Sequence, residues 1–263
     1  MRRAYLDLKG GQLHYRYEGQ GRPVVLIHMS GSSSDEFEAV SRSLKDSYSV
    51  YAPDLPGFGY SYKPERYLSI DGYAETVKEF MEALSLEDVI LAGNLVGANV
   101  AAKTALLCPE RIGRLFLVQF IYDEDYARFR SFRQSPAFSP VIPDPQGEYL
   151  GTLWKRASGA AWNTDGGLPA EIIHNRTICM MLAGDLSEAM HWAVFEDEDY
   201  KTLLPGLVPE TTVVSLKAHS FGAIQRAVTD LIPGAKLIEL EGADSYLSRT
   251  DPERYASVIL QNS

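Results

Sequence analysis

The stretch Val89-Ile90-Leu91-Ala92-Gly93-Asn94-Leu95-Val96-Gly97-Ala98 opens as an unbroken apolar run and then passes through two glycines four residues apart into a helix-forming sequence. A run that is apolar at every position, rather than at alternate ones, is the pattern of a strand covered on both faces, as in a parallel sheet. Small residues at 93 and 97 allow a sharp turn between strand and helix, one that lifts the central side chain, Leu95, out of the sheet. The same kind of run stands on either side, at Val24-Val25-Leu26-Ile27 and at Leu115-Phe116-Leu117-Val118. Helices alternate with these strands. Ser33-Ser34-Asp35-Glu36 has the spacing of a capping box, and Tyr73, Val77, Phe80, Met81 and Leu84 form an apolar stripe at helical spacing. Ahead of them, Tyr5-Leu6-Asp7-Leu8, Gly10-Gly11 and residues 12–18 read as an antiparallel hairpin at a sheet edge. The alternation predicts an α/β fold with a doubly wound, mostly parallel sheet.

From about residue 121 to 204 this rhythm stops. Pro136, Pro140, Pro143 and Pro145 are followed by Trp154 and Trp162, a helical run through Ile178, Met181 and Leu182, and an acidic stretch at 196–199. The alternation resumes with Thr212-Val213-Val214-Ser215-Leu216, a helix through Ile224, Val228 and Leu231, a strand at 236–240, and a closing helix from Pro252, a residue suited to a first helical turn. The predicted organisation is a core of residues 1–120 and 206–263 with a helical cap, 121–205, inserted between two strands.

The chain's 263 residues are 45% hydrophobic and 23% charged, a globular composition. Its net charge of −10 repels phosphate backbones and anionic lipid, which argues against nucleic acid and membrane surfaces as partners. Cys108 and Cys179 stand in apolar surroundings without CxxC spacing, so both read as buried thiols in a reducing compartment. No apolar segment follows Arg2-Arg3, and no run approaches the roughly 18 residues of a spanning helix, so the expected location is cytoplasmic.

Two further stretches carry chemistry: Leu26-Ile27-His28-Met29-Ser30-Gly31-Ser32-Ser33, and Tyr51-Ala52-Pro53-Asp54-Leu55-Pro56-Gly57-Phe58-Gly59-Tyr60-Ser61. With the turn at 93–97 they resemble the α/β-hydrolase family. The likeness covers nearly the whole chain, including Pro109-Glu110-Arg111 before a strand and Gly242-Ala243 before Asp251-Pro252-Glu253, and residues 54–61 are its most specific part. The resemblance implies a nucleophile at the elbow, a base, an acid that orients it, and amide donors for an oxyanion. In this sequence the nucleophile position is Leu95 and the base position is Ser245. The loop expected to carry the acid, Lys217-Ala218-His219-Ser220, has no carboxylate. Backbone N–H groups of Met29, Ser30 and Val96 remain as the donors the resemblance assigns. One subgroup of the family carries His-Thr where this chain has Leu95-Val96, and it too lacks the serine. Adjacent aliphatics at the elbow make an apolar pocket floor. Either the lineage has abandoned its triad or the site has been rebuilt by design, as in an engineered protein.

Each substitute has two readings. His219 and Ser245 form an inverted Ser–His dyad, or are unrelated loop residues. Lys217 enters the pocket and becomes an amine nucleophile through desolvation, or is a solvated surface lysine. His28, as the resemblance implies, supports the oxyanion loop by hydrogen bonding, or acts as a catalytic base. Leu95, Phe120 and Trp192 are the candidate pocket walls, with Trp192 equally readable as plain cap core. Asp123, Glu124 and Asp125 are a rescue acid or a solvated turn. With no metal cluster, phosphate loop or dinucleotide fingerprint, no cofactor or metal is implied. Three functions stay open: a hydrolase-lineage enzyme acting on a small apolar ester or carbonyl molecule with a displaced or engineered catalytic set, a catalytically inactive ligand-binding protein, and an engineered carbon–carbon lyase using Lys217. Nothing in the sequence sets an oligomeric state.

Overall fold

Alternation within the apolar runs builds a three-layer core. Val25, Ile27, Leu91, Leu115 and Leu117 join one buried cluster, while their neighbours Val24, Leu26, Ile90, Ala92, Phe116 and Val118 join another on the opposite face of the sheet. A strand that is apolar throughout serves both layers at once. The computed structural model describes residues 1–159, 167–197, 199–242 and 246–263. Trp162, Glu198, Ala243 and Ser245 lie outside the described residues.

The strands are β1 (Arg2–Leu8), β2 (Gly11–Gly19), β3 (Arg22–Ile27), β4 (Tyr48–Pro53), β5 (Val89–Asn94), β6 (Ile112–Val118), β7 (Glu210–Leu216) and β8 (Lys236–Leu240). They form one sheet in the order β1-β2-β4-β3-β5-β6-β7-β8. β1 and β2 form the expected antiparallel hairpin, and β2 runs antiparallel to β4; every other neighbouring pair is parallel. The parallel strands therefore end at one edge, where α/β folds place their ligands. Helices α1 (Glu38–Leu44), α2 (Ile70–Ala83) and α3 (Val96–Leu107) connect the first strands. Between β6 and β7 lies a helical insertion of α4 (Tyr126–Ser131), α5 (Tyr149–Ala157), α6 (Ala170–Ala183), α7 (Ala189–Glu196) and α8 (Tyr200–Leu203). After β7 come α9 (Gln225–Leu231), α10 (Leu247–Thr250) and α11 (Pro252–Asn262). Pro252 opens α11, with Asp251 capping it by accepting from the Arg254 N–H at 3.1 Å.

Residues 54–61 fold around one buried carboxylate. Asp54 accepts from His14 Nδ1 (2.7 Å), the Ser34 N–H (2.6 Å) and the Tyr60 N–H (2.8 Å). Gly59 follows from this packing, since a Cβ there would lie 2.0 Å from Asp54 Oδ2. Burial alone would raise the Asp54 pKa, but these hydrogen bonds outweigh it and hold the carboxyl below its usual range. Cys108 and Cys179 are both free and buried. Among the described residues no helix is long and apolar enough to cross a membrane.

Candidate functional site

At the end of β5 the chain turns through Leu95, with φ 49° and ψ −122°, into α3. A non-glycine residue here stores strain of about 1–3 kcal/mol unless its surroundings over-determine it. Those surroundings are tight. The Leu95 N–H donates to the Val118 carbonyl (2.9 Å), a Cβ on Gly93 would meet the Gly97 carbonyl oxygen at 2.1 Å, and one on Gly97 would meet the Ile27 carbonyl oxygen at 2.4 Å. The turn thus holds the Leu95 side chain above the sheet edge. Val96, the first residue of α3, is fully buried, and its N–H is among the four at a helix start without an intrahelical acceptor.

The loop after β3 is held from both sides. His28 accepts from the Leu55 N–H at Nε2 (3.0 Å) and donates from Nδ1 to the Met29 carbonyl (2.8 Å), the supporting role expected of it. Beneath lies a network the sequence did not show. Glu36 accepts from the Met29 N–H (3.2 Å), Asn94 Nδ2 (2.5 Å) and Ser248 Oγ (3.2 Å), and Asn94 Oδ1 accepts from the Tyr255 hydroxyl (2.9 Å). Glu36 therefore does not complete a capping box. Ser33 caps a short 3₁₀ turn through the Asp35 N–H at 3.3 Å, and the Glu36 carboxyl turns inward to these buried donors.

Above the elbow, a cavity of about 400 Å³ opens between the sheet edge and the helical insertion. Its floor is Leu95 and the Met29 side chain; Ile121 and Tyr122 after β6, with His219 and Phe221 after β7, form one wall. Phe132, Phe138, His191 and Phe195 close it from the insertion. Asn99 in α3 fixes Ile121 by bonding both its N–H (3.2 Å) and its carbonyl (2.9 Å). Polar groups on the lining are largely neutralised by neighbours. Asp123 takes two bonds from Arg128, from Nε at 2.9 Å and Nη2 at 2.7 Å. His191 Nδ1 bonds Glu188 Oε2 at 2.7 Å. Burial would raise the Glu188 pKa, but His191, Arg156 and Arg176 outweigh it and keep it low. No group of three or more His, Cys, Asp or Glu side chains suited to a metal ion occurs among the described residues.

A family model of the α/β hydrolase fold matches residues 22–134, the segment that carries the loop after β3, the turn at 93–97 and the strands beneath them. The chain has the α/β-hydrolase fold. An uncharacterized protein of Mycobacterium bovis is 35% identical over 114 residues, 43% of this chain, and the match spans 33% of that relative's length. A haloalkane dehalogenase of Mycolicibacterium paratuberculosis is 31% identical over 176 residues, 62% of this chain and 57% of that one. Among solved structures, a hydrolase from Pseudomonas aeruginosa has a TM-score of 0.80 at 19% identity, covering 98% of this chain and 97% of that one.

On this α/β-hydrolase fold the sequence candidates separate. Leu95, Met29 and His219 line the cavity. The Met29 N–H, expected to face an oxyanion, is already engaged by Glu36. Ser30 is buried, its hydroxyl directed to the Ser187 carbonyl at 3.4 Å. Lys217 does not enter the cavity: its side chain is 46% exposed, and Glu241 at 2.6 Å raises its pKa, opposite to what an amine nucleophile needs. Phe120 is fully buried against Tyr200, with the Gln225 amide bonding its N–H and carbonyl, so Ile121 and Tyr122 take the wall instead. Trp192 turns away as well, donating to the Phe138 carbonyl (2.6 Å) and packing edge-on to Tyr67. One helical step of about 100° separates it from His191, which shares the cavity face with Phe195 four residues on. Burial pulls His219 down to about 4, and its Nδ1 accepts from the Phe221 N–H (3.1 Å). His219 is thus neutral at pH 7, with its proton on Nε2, a donor rather than a ready base.

Proposed function

We propose that this chain binds a small, largely apolar molecule bearing an ester or carbonyl group between sheet edge and helical cap, without forming an acyl-enzyme at the elbow. The observation that carries this reading is the cavity whose floor is an aliphatic side chain, Leu95, held at the position where a nucleophile would stand. Most of the lining named above is aliphatic or aromatic, which favours an apolar ligand body. Polar groups then set orientation.

A second reading, turnover without a covalent intermediate, is favoured by the Glu188–His191 pair on the cavity wall. An ionised Glu188 can only accept, so the His191 Nδ1–H points at it and the ring is held in place, the orienting contact that a general base requires.

Leu95→Ser tests the first reading. A serine with no base behind it is a weak nucleophile, and triad members act as a unit, so this variant is expected to hydrolyse p-nitrophenyl butyrate no faster than the wild type and to show no acyl adduct by intact mass. Rapid turnover with an adduct on residue 95 would show that a base already serves the elbow and would defeat the proposal.

A further inference from the structure

Arg176 of α6 lines the cavity with its guanidinium 5.0 Å above the Tyr246 ring. Its Nη1 donates to the carbonyls of Arg156 (3.0 Å) and Ala157 (3.2 Å). These close α5, and the last carbonyls of a helix lack intrahelical partners and attract a cation. One edge of the guanidinium is thereby fixed. Nε and Nη2 carry no hydrogen bond among the described residues; Nε is sealed from solvent, so Nη2 is the donor left open.

Charge balance around the cavity isolates this group. Glu188 has one oxygen on Arg156 (3.2 Å) and the other on His191 (2.7 Å), so the carboxylate that feels Arg176 electrostatically is held by others. Asp123 is held by Arg128. Among the described residues, Arg176 is left as a cationic lining group with no carboxylate in ion-pair reach. A charged donor without an acceptor favours an anionic partner, and a guanidinium–carboxylate bond is stronger than one to a neutral acceptor.

We infer that the ligand is amphiphilic, with an apolar body against Phe132, Phe138 and Phe195 and a carboxylate bound by Nη2 of Arg176. This rests on the reading of the cavity as a ligand site. The test is calorimetric titration at pH 7.5 with 4-phenylbutyrate and with 4-phenylbutyramide, its neutral near-isostere. Wild type is expected to bind the carboxylate at least tenfold more tightly than the amide. Arg176→Gln should bring the two affinities together by weakening the carboxylate alone, and Arg176→Lys, which keeps the charge but loses the planar group that anchors Nη1 and so places Nη2, should cut the preference to a third or less. If Arg176→Gln fails to fold, the lysine variant carries the test by itself. Equal affinities in wild type, or a preference that survives substitution of Arg176, overturn the inference and leave the cavity reading standing. Failure of wild type to bind either probe overturns both.

Discussion

Replacing Glu36 by alanine is expected to lower the unfolding free energy by about 3–5 kcal/mol, because three buried donors lose their acceptor together and a void is left behind. The donors come from three parts of the chain: the Met29 N–H in the loop after β3, Asn94 at the end of β5, and Ser248 in α10. Loss of Glu36 therefore loosens the loop, the elbow and the C-terminal helices at once. Glu36→Gln retains one acceptor oxygen and the volume, so its loss is expected to be less than half as large. Urea denaturation followed by circular dichroism reads both values; a Glu36→Ala midpoint equal to wild type would show that the network contributes nothing to stability.

Asp54→Ala is expected to cost a similar amount, about 3–5 kcal/mol at neutral pH, since His14, Ser34 and Tyr60 each lose a buried partner. This penalty has a pH signature. The Asp54 carboxyl titrates below its ordinary value in the folded state, so its contribution is complete above the ordinary carboxylate range and is lost as pH falls through the lowered folded value. The gap between wild type and Asp54→Ala should therefore narrow on acidification below about pH 4. A gap that stays constant down to pH 2.5 would show that the carboxylate's charge is not what the three donors require.

Most of the architecture could be read from the residues. Strands β3, β5 and β6 announce themselves because each must feed two hydrophobic layers, and residues 93–97 because only glycine fits against the Gly97 and Ile27 carbonyls. The site was less legible, for physical reasons. Phe120, just after β6, and Trp192, in α7, belong to segments that converge on the cavity, but side-chain direction sets exposure to it, and their neighbours Ile121, His191 and Phe195 face it. The spacing His191-x-x-x-Phe195 was the available signal, since residues four apart share a helix face. Glu36 looked like a capping partner because its true partners lie up to 212 residues away. Arg176 gave no signal at all: in the sequence it is one basic residue on a cap helix, and only folding brings it to the end of α5.

On the proposed function, ligand occupies the space directly above Leu95. Titration calorimetry with 4-phenyl-2-butanone, an apolar carbonyl compound, on wild type, Leu95→Trp and Val208→Trp tests it. Tryptophan at 95 fills the floor of the cavity, while Val208, 77% exposed just ahead of β7, does not line it. Saturable binding of equal affinity is expected for wild type and Val208→Trp, and at least tenfold weaker binding for Leu95→Trp. Equal affinity in all three proteins would contradict it.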